Sequence, residues 1–303
     1  MGDWARYWRS PERPLEAMHA HFERHVYHRH SHETYSFGFT EEGAQSFTCR
    51  RAAHTSTAGM VMVFNPDDPH DGHATDELGF TYRMVHIGPG LVADVLAEAA
   101  GRRVGLPLFT EPVVSGRGGL AGKLRLLHQA LVDGPASALR RDELLDGVVT
   151  AMAGRARARV GESWPDVAPA GTPRMSGVLD VADGRSGAGL SGRGGADVGT
   201  ARVVRELLHD TDDQGVSASD LAAAAGRSRF AVYRSFQAVY GMAPSDYQRQ
   251  LRLRAAQRLL VQGRPLVEVA VETGFTDQSH LTRWFTRYFG VTPGAYRRAV
   301  ATG

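Results

Sequence analysis

Residues 222–247, AAAAGRSRFAVYRSFQAVYGMAPSDY, return as residues 270–296, AVETGFTDQSHLTRWFTRYFGVTPGAY. Ala222, Gly226, Phe236, Gly241, Pro244 and Tyr247 in the first copy answer to Ala270, Gly274, Phe285, Gly290, Pro293 and Tyr296 in the second. The offset is 48 up to the turn glycine and 49 beyond it, so one extra residue in a turn separates the copies. One supersecondary unit is therefore built twice. Each copy reads as helix, glycine-containing turn, helix, the pattern of DNA-binding helix-turn-helix units.

Local chemistry supports this at each boundary. Ser217 and Asp220 have capping-box spacing ahead of the alanine-rich first helix, and Pro265 takes the first-turn role in the second copy. Gly226 and Gly274 stand where a turn needs an unhindered backbone, and Ser228 and Asp277 are placed to cap the second helices. Val232, Phe236 and Tyr240 recur every four residues, as do Leu281, Phe285 and Phe289, and form the face to be buried. At about 100° per residue, the opposite face carries Phe230, Arg234 and Gln237 in copy one and Ser279, Arg283 and Thr286 in copy two. Such arginines on a helical bundle are often merely solvated. The same exposed position filled by arginine in two registered copies points to a shared task.

GFTDQSHLTRWFTRYFGVTPGAYR resembles the second helix-turn-helix of the AraC/XylS family of transcriptional regulators. SDYQRQLRLRAAQRLLVQG is similar to that family's long helix between its two units, so the resemblance spans about residues 201–299. It implies a sequence-specific regulator, an activator more than a repressor, whose two reading helices enter successive major grooves of promoter DNA about one turn, ~34 Å, apart. Carried over by position, Phe230, Arg234, Gln278, Ser279 and Arg283 become base readers, and Arg229, Gln237, His280 and Arg287 join them as DNA-binding candidates. RNA polymerase is the further partner that the resemblance implies.

Charge places the DNA surface in the same region. The whole chain is only +2, but residues 200–303 hold 14 Arg against 9 Asp and Glu, or +5, leaving 21 basic against 24 acidic residues, or −3, elsewhere. A basic reading domain joined to a mildly acidic one suits phosphate contact at one end and another task at the other. The length of 303 residues and an apolar content of 42% suit two domains. The single cysteine, Cys49, leaves no disulfide framework, and no 18-residue apolar run or signal core is seen, so a cytoplasmic protein without membrane contact is expected.

The two halves are divided by residues 161–200, where Gly, Pro, Ser and Ala displace any apolar period and a flexible linker is expected. Domain one is then 1–160 and domain two 201–303, opening with a short helix at about 201–209 and carrying units at about 217–240 and 265–289. Upstream, Leu120, Leu124, Leu127 and Leu131 mark one helix, and Leu144, Leu145, Val148, Val149 and Met152 a second over roughly 137–159. These stripes are either a homodimer seam, as the family resemblance favours, or the internal seal of the first domain.

The first 90 residues read as short strands: Tyr35, Phe37 and Phe39 alternate, Phe47 to Arg50 follows, and MVMVF occupies 60–64. Turns are expected at Glu41 to Gly43, Ala58 to Gly59 and Pro66 to Pro69. The order His30-Ser-His32, Gly43, Gly59, Asn65-Pro66 and His70 resembles the cupin-like sensor domain of the same family, which implies a β-barrel holding a small effector. The fold class is therefore α+β in two domains, a cupin-like barrel with following helices and an all-α domain of two helix-turn-helix units.

Ten of the 13 histidines lie in residues 19–86, and His28, His30 and His32 alternate so as to share one strand face. With His70 or His86 across the barrel they raise a metal-site reading, and with it an alternative function, a cupin-type metalloenzyme with an appended helical domain. A metal cupin would carry a Glu four or five residues after the His-x-His pair, and Ser36 and Phe37 stand there instead. The expectation is therefore no metal, no cofactor and no enzyme activity, with His30, His32, Tyr35, His70 and Arg83 as contacts to an organic effector.

Overall fold

The computed structural model describes residues 2–116, 119–133, 136–156, 197–210 and 215–301. The expected linker therefore falls outside the described residues, apart from 197–200. Among the described residues, nine strands precede the helical half: β1 (Trp4–Arg9), β2 (Leu15–Phe22), β3 (Tyr27–His30), β4 (Tyr35–Cys49), β5 (Ala52–Thr57), β6 (Met60–Phe64), β7 (His70–Ala74), β8 (Phe80–Ile87) and β9 (Val113–Ser115). One path of antiparallel neighbours runs β1-β2-β8-β4-β6-β9, and β4 also pairs with β5 and β7, with β3 beyond β7. Among the described residues these neighbours form no closed ring, and the sheet is an open, curled version of the expected barrel.

The turn expected at Glu41 to Gly43 is not a chain reversal. The strand runs through it, pairing with β6 up to Phe39, with β8 as far as Gly43 and with β5 and β7 beyond it, and the register with β8 slips between Thr40 and Glu42. A bulge supplies the bend by which β4 passes from one sheet to the other. Gly43 is needed there: its φ is +70°, and a Cβ would lie 2.1 Å from the Gly79 carbonyl oxygen.

Parity along the strands sorts two cores. Leu15, Ala17, Tyr35, Phe37, Phe39, Val85 and Ile87 face outward under three helices, α1 (Pro89–Ala100), α2 (Leu120–Val132) and α3 (Ala138–Ala153). Met18, Ala20, Phe22, Phe47, Met62, Phe64, Tyr82 and Met84 face the concave interior. The stripes of α2 and α3 are spent on the outer core, where Leu120, Leu124, Leu127, Leu131, Leu145, Val148, Val149 and Met152 are all buried. They form the internal seal of this chain.

The helical half comprises α4 (Val198–Asp210), α5 (Ala218–Ala225), α6 (Arg229–Tyr240), α7 (Pro244–Val261), α8 (Leu266–Glu272), α9 (Gln278–Phe289) and α10 (Pro293–Ala301). Helix α4 begins three residues before the expected start, because Asp197 accepts from the Thr200 backbone N–H (3.0 Å) and hydroxyl (2.7 Å) and so caps it. The capping box at Ser217 and Asp220 forms, Ser228 and Asp277 cap α6 and α9, and Pro265 is the N-cap of α8. Each repeat encloses its own small core, one around Val232, Phe236 and Tyr247 and the other around Leu281, Phe285 and Tyr296, and α7 contributes to both.

Candidate nucleic-acid interface and sensor cavity

Burial of one face of α6 and α9 leaves the other to solvent. Val232 and Phe236, and equivalently Leu281 and Phe285, are buried, and Arg229, Phe230, Arg234, Gln237, Gln278, Ser279, Arg283 and Arg287 are exposed. Phe230 is 72% exposed, too much for a packing residue, and the Arg234 guanidinium lies 5.1 Å from its ring centre. Arg287 sits 5.1 Å from the Trp284 ring. His280 is engaged otherwise: its Nε2 accepts from Trp284 Nε1 (3.0 Å), its Nδ1 pairs with Thr276 Oγ1 (3.2 Å), and it is half-buried. Its ring braces the start of α9.

The concave face of the sheet holds a cavity of about 50 Å³, lined among others by His30, His32, His70, His86, Tyr288 and Phe289. His30 and His70 are buried, and their Nδ1–H groups donate to the carbonyls of His28 (2.7 Å) and Asp68 (2.8 Å). Both rings therefore offer an unprotonated Nε2. The ring centres of His30 and His70 are 4.4 Å apart, those of His30 and His32 4.8 Å, and those of His32 and His86 4.6 Å. His86 Nδ1 pairs with Ser36 Oγ at 2.8 Å. Burial, reinforced by neighbouring histidines, holds His30 and His32 well below the ordinary imidazole range, and burial pushes His70 and His86 down to about 4.

Of the five expected effector contacts, the structure brings three together and leaves two elsewhere. Tyr35 faces the outer core, where its hydroxyl donates to the Pro107 carbonyl (2.8 Å). Arg83 lies opposite His86 in parity along β8, with its guanidinium 3.0 Å from both Glu41 and Asp133. A period of two explains both misplacements, since residues one position apart on a strand face opposite ways. His86 lines the cavity for the same reason. Tyr288 and Phe289 carry no such signal, because the packing that brings α9 over the cavity joins the two halves of the chain.

That packing is polar as well as apolar. Gln250, buried on α7, accepts from the Ser31 backbone N–H (2.7 Å) and donates to Ser31 Oγ (3.0 Å). Arg254, one turn on and also buried, reaches the Ser31 carbonyl (2.9 Å), Glu33 (3.1 Å) and Asp67 (3.4 Å). Arg29 Nε donates to the Gly241 carbonyl (2.7 Å), and the Tyr7 hydroxyl to that of Phe289 (2.7 Å). Gly290 completes the fit, since a Cβ there would lie 2.6 Å from the Phe22 ring.

The family profile described as "AraC-like ligand binding domain" matches residues 14–149, and that of a "Helix-turn-helix domain" matches residues 221–299. The HTH-type transcriptional regulator YbfI of Bacillus subtilis is 27% identical over 252 residues, 83% of this chain and 80% of its own length. The transcriptional activator NphR of a Rhodococcus species is 41% identical over 98 residues, 32% of this chain and 28% of its own. A crystal structure of Vibrio cholerae ToxT carrying a K231A substitution covers 99% of this chain and 98% of its own, with a TM-score of 0.52 at 9% identity, a likeness of fold alone. Among the described residues, no helix is long and apolar enough to cross a membrane.

Proposed function

The chain belongs to the AraC/XylS family of transcriptional regulators, and from that premise we propose how it reads and responds. It is a DNA-binding regulator. Helices α6 and α9 enter successive major grooves on one face of promoter DNA, about one helical turn apart. Arg234 and Arg283 read guanine through their paired N–H groups, Phe230, Gln237, Gln278 and Ser279 contact neighbouring base edges, and Arg229 and Arg287 hold phosphates. The observation that carries this reading is that Arg234 and Arg283 occupy equivalent exposed places on two separately cored units.

The protein acts as an effector-responsive activator in the cytoplasm, with RNA polymerase as its partner at the promoter. A drug-sized ligand needs roughly 300–1,000 Å³, far more than the cavity of about 50 Å³ provides. An organic effector of that size therefore enters only if lining side chains withdraw, and withdrawal of Tyr288 and Phe289 carries α9 with it. Binding is thereby tied to the reading helix through its differential affinity for the two arrangements. A homodimer, if formed through α2 and α3, uses their outer surface, where Leu126 and Leu139 are exposed.

Footprinting of the promoter, with and without candidate metabolites, tests both parts. Protection of two segments one turn apart is expected, with the pattern or occupancy altered by the effector. Protection confined to one groove contradicts the two-helix reading, and an identical footprint with every metabolite from the host contradicts the sensing role.

A further inference from the structure

We infer that His30, His32 and His70 form a binding site for a divalent transition-metal ion of the zinc class, with the remaining coordination position turned into the cavity. Their ligand nitrogens all lie within 4.8 Å of one another. A zinc ion holds imidazole nitrogens at about 2.0–2.1 Å, hence about 3.4 Å apart in a tetrahedral set, so modest side-chain rotations close the site. The three residues come from two segments that converge: His30 ends β3, His32 follows it, and His70 opens β7, directly opposite His30 in register.

A second observation points the same way. The Nδ1–H groups of His30 and His70 are tied to backbone carbonyls, which fixes each ring with Nε2 free to bind a metal. This is the supporting arrangement that metal-ligating histidines ordinarily show. Size decides further: about 50 Å³ accommodates an ion with a water or a small anion, but not an ordinary organic ligand. Three nitrogen donors suit zinc, nickel, copper or iron and not magnesium or calcium, which take oxygen donors.

The carboxylate of a cupin-type catalytic set remains missing. Ser36 is paired with His86, and Phe37 is in the outer core. The metal is accordingly assigned to binding, not to turnover, with one position left open toward the cavity. That position suits the anionic or nitrogenous group of a small effector. The inference deepens the sensing half of the proposed function, and metal uptake is read without DNA, so either can fail alone.

The test uses the full-length protein, stripped with a chelator and dialysed against zinc, with bound metal counted by elemental analysis. One equivalent per chain is expected. His32→Asn and His70→Asn should each weaken zinc binding by at least the roughly 10- to 100-fold that loss of a mere supporting partner costs, whereas His73→Ala, an exposed neighbour, should bind as wild type does. Should the variants fail to fold, cobalt added to wild type decides: visible bands of a four-coordinate, nitrogen-rich site support the assignment. No retained zinc, zinc unaffected by both substitutions, or a cobalt–thiolate band marking Cys49 as a ligand overturns it.

Discussion

His128 is wholly buried between α2 and the sheet, where its Nε2–H donates to the Met18 carbonyl (3.0 Å) and its Nδ1 accepts from Arg83 (3.1 Å). Burial first, and the Arg83 cation second, push its pKa down to about 3. Below about pH 6.5 the unfolded chain takes up a proton that the folded one refuses. Stability from this group is thus fully present above that pH and lost as pH falls toward 3, by at most about 1.4 kcal/mol per pH unit. His128→Gln should flatten the pH dependence of urea midpoints in that window, and an unchanged slope would show that the ring titrates normally. On the DNA face, Arg283→Ala should cost about 1–3 kcal/mol and relax preference at one base pair, with Arg234→Ala doing the same about one turn away. Equal losses on specific and random DNA in a gel-shift series would make both arginines phosphate contacts. His280→Ala should instead lower the melting temperature, because its ring is held by Trp284 and Thr276.

Helices α6 and α9 each end at a glycine in the left-handed region, Gly241 (φ 71°) and Gly290 (φ 72°), and both glycines also press against the sheet domain. Adding a methyl costs about 1–2 kcal/mol of backbone strain at such a position, and at Gly290 it also meets Phe22. Gly290→Ala should therefore lower the melting temperature more than Gly226→Ala, whose methyl meets nothing within 4 Å. Equal losses would mean that the close approach to Phe22 carries no energy. Within the repeats, Phe285→Ala removes a fully buried ring and should cost about 3–5 kcal/mol, measured by denaturant unfolding. The caps, turns and apolar stripes here were legible because they are local: Ser228, Asp277, Val232 and Leu281 act on their own helix. Helix α1 and strands β1 and β2 were not read from the sequence. Their pairing is decided by partners such as β8, dozens of residues away. Of the alternating histidines, His30 and His32 reach the cavity, whereas His28 packs on Trp284 and Tyr288 and β3 ends at His30; Tyr35 and Arg83 show that a one-residue error in parity moves a side chain through the sheet. Arg254 and Gln250 carry no local signal of burial, because the surface that buries them comes from the other half of the chain.

At the scale of the whole molecule, the reading half carries two cores built mainly from its own residues, with the half-buried Ala5 and Tyr7 of the sheet domain packed against the second. Residues 201–303 expressed alone should therefore fold as a helical unit and bind promoter DNA, with affinity falling steeply as salt rises. Such a fragment should have lost every response to effector, and an unfolded or DNA-blind fragment would sink this division of labour. The contact between Tyr7 and Phe289 spans 282 positions of the chain, and β1 packs on α10 as well. A ribosome thus makes one side of that contact first and the other nearly last. The sheet domain must wait through synthesis with Tyr7, Phe22 and Ser31 uncovered, and its closure is a late, separate event. Nascent chains stalled before residue 250 should be the most exposed to chaperones and proteases, and the finished clasp marks the point at which the newborn protein becomes resistant.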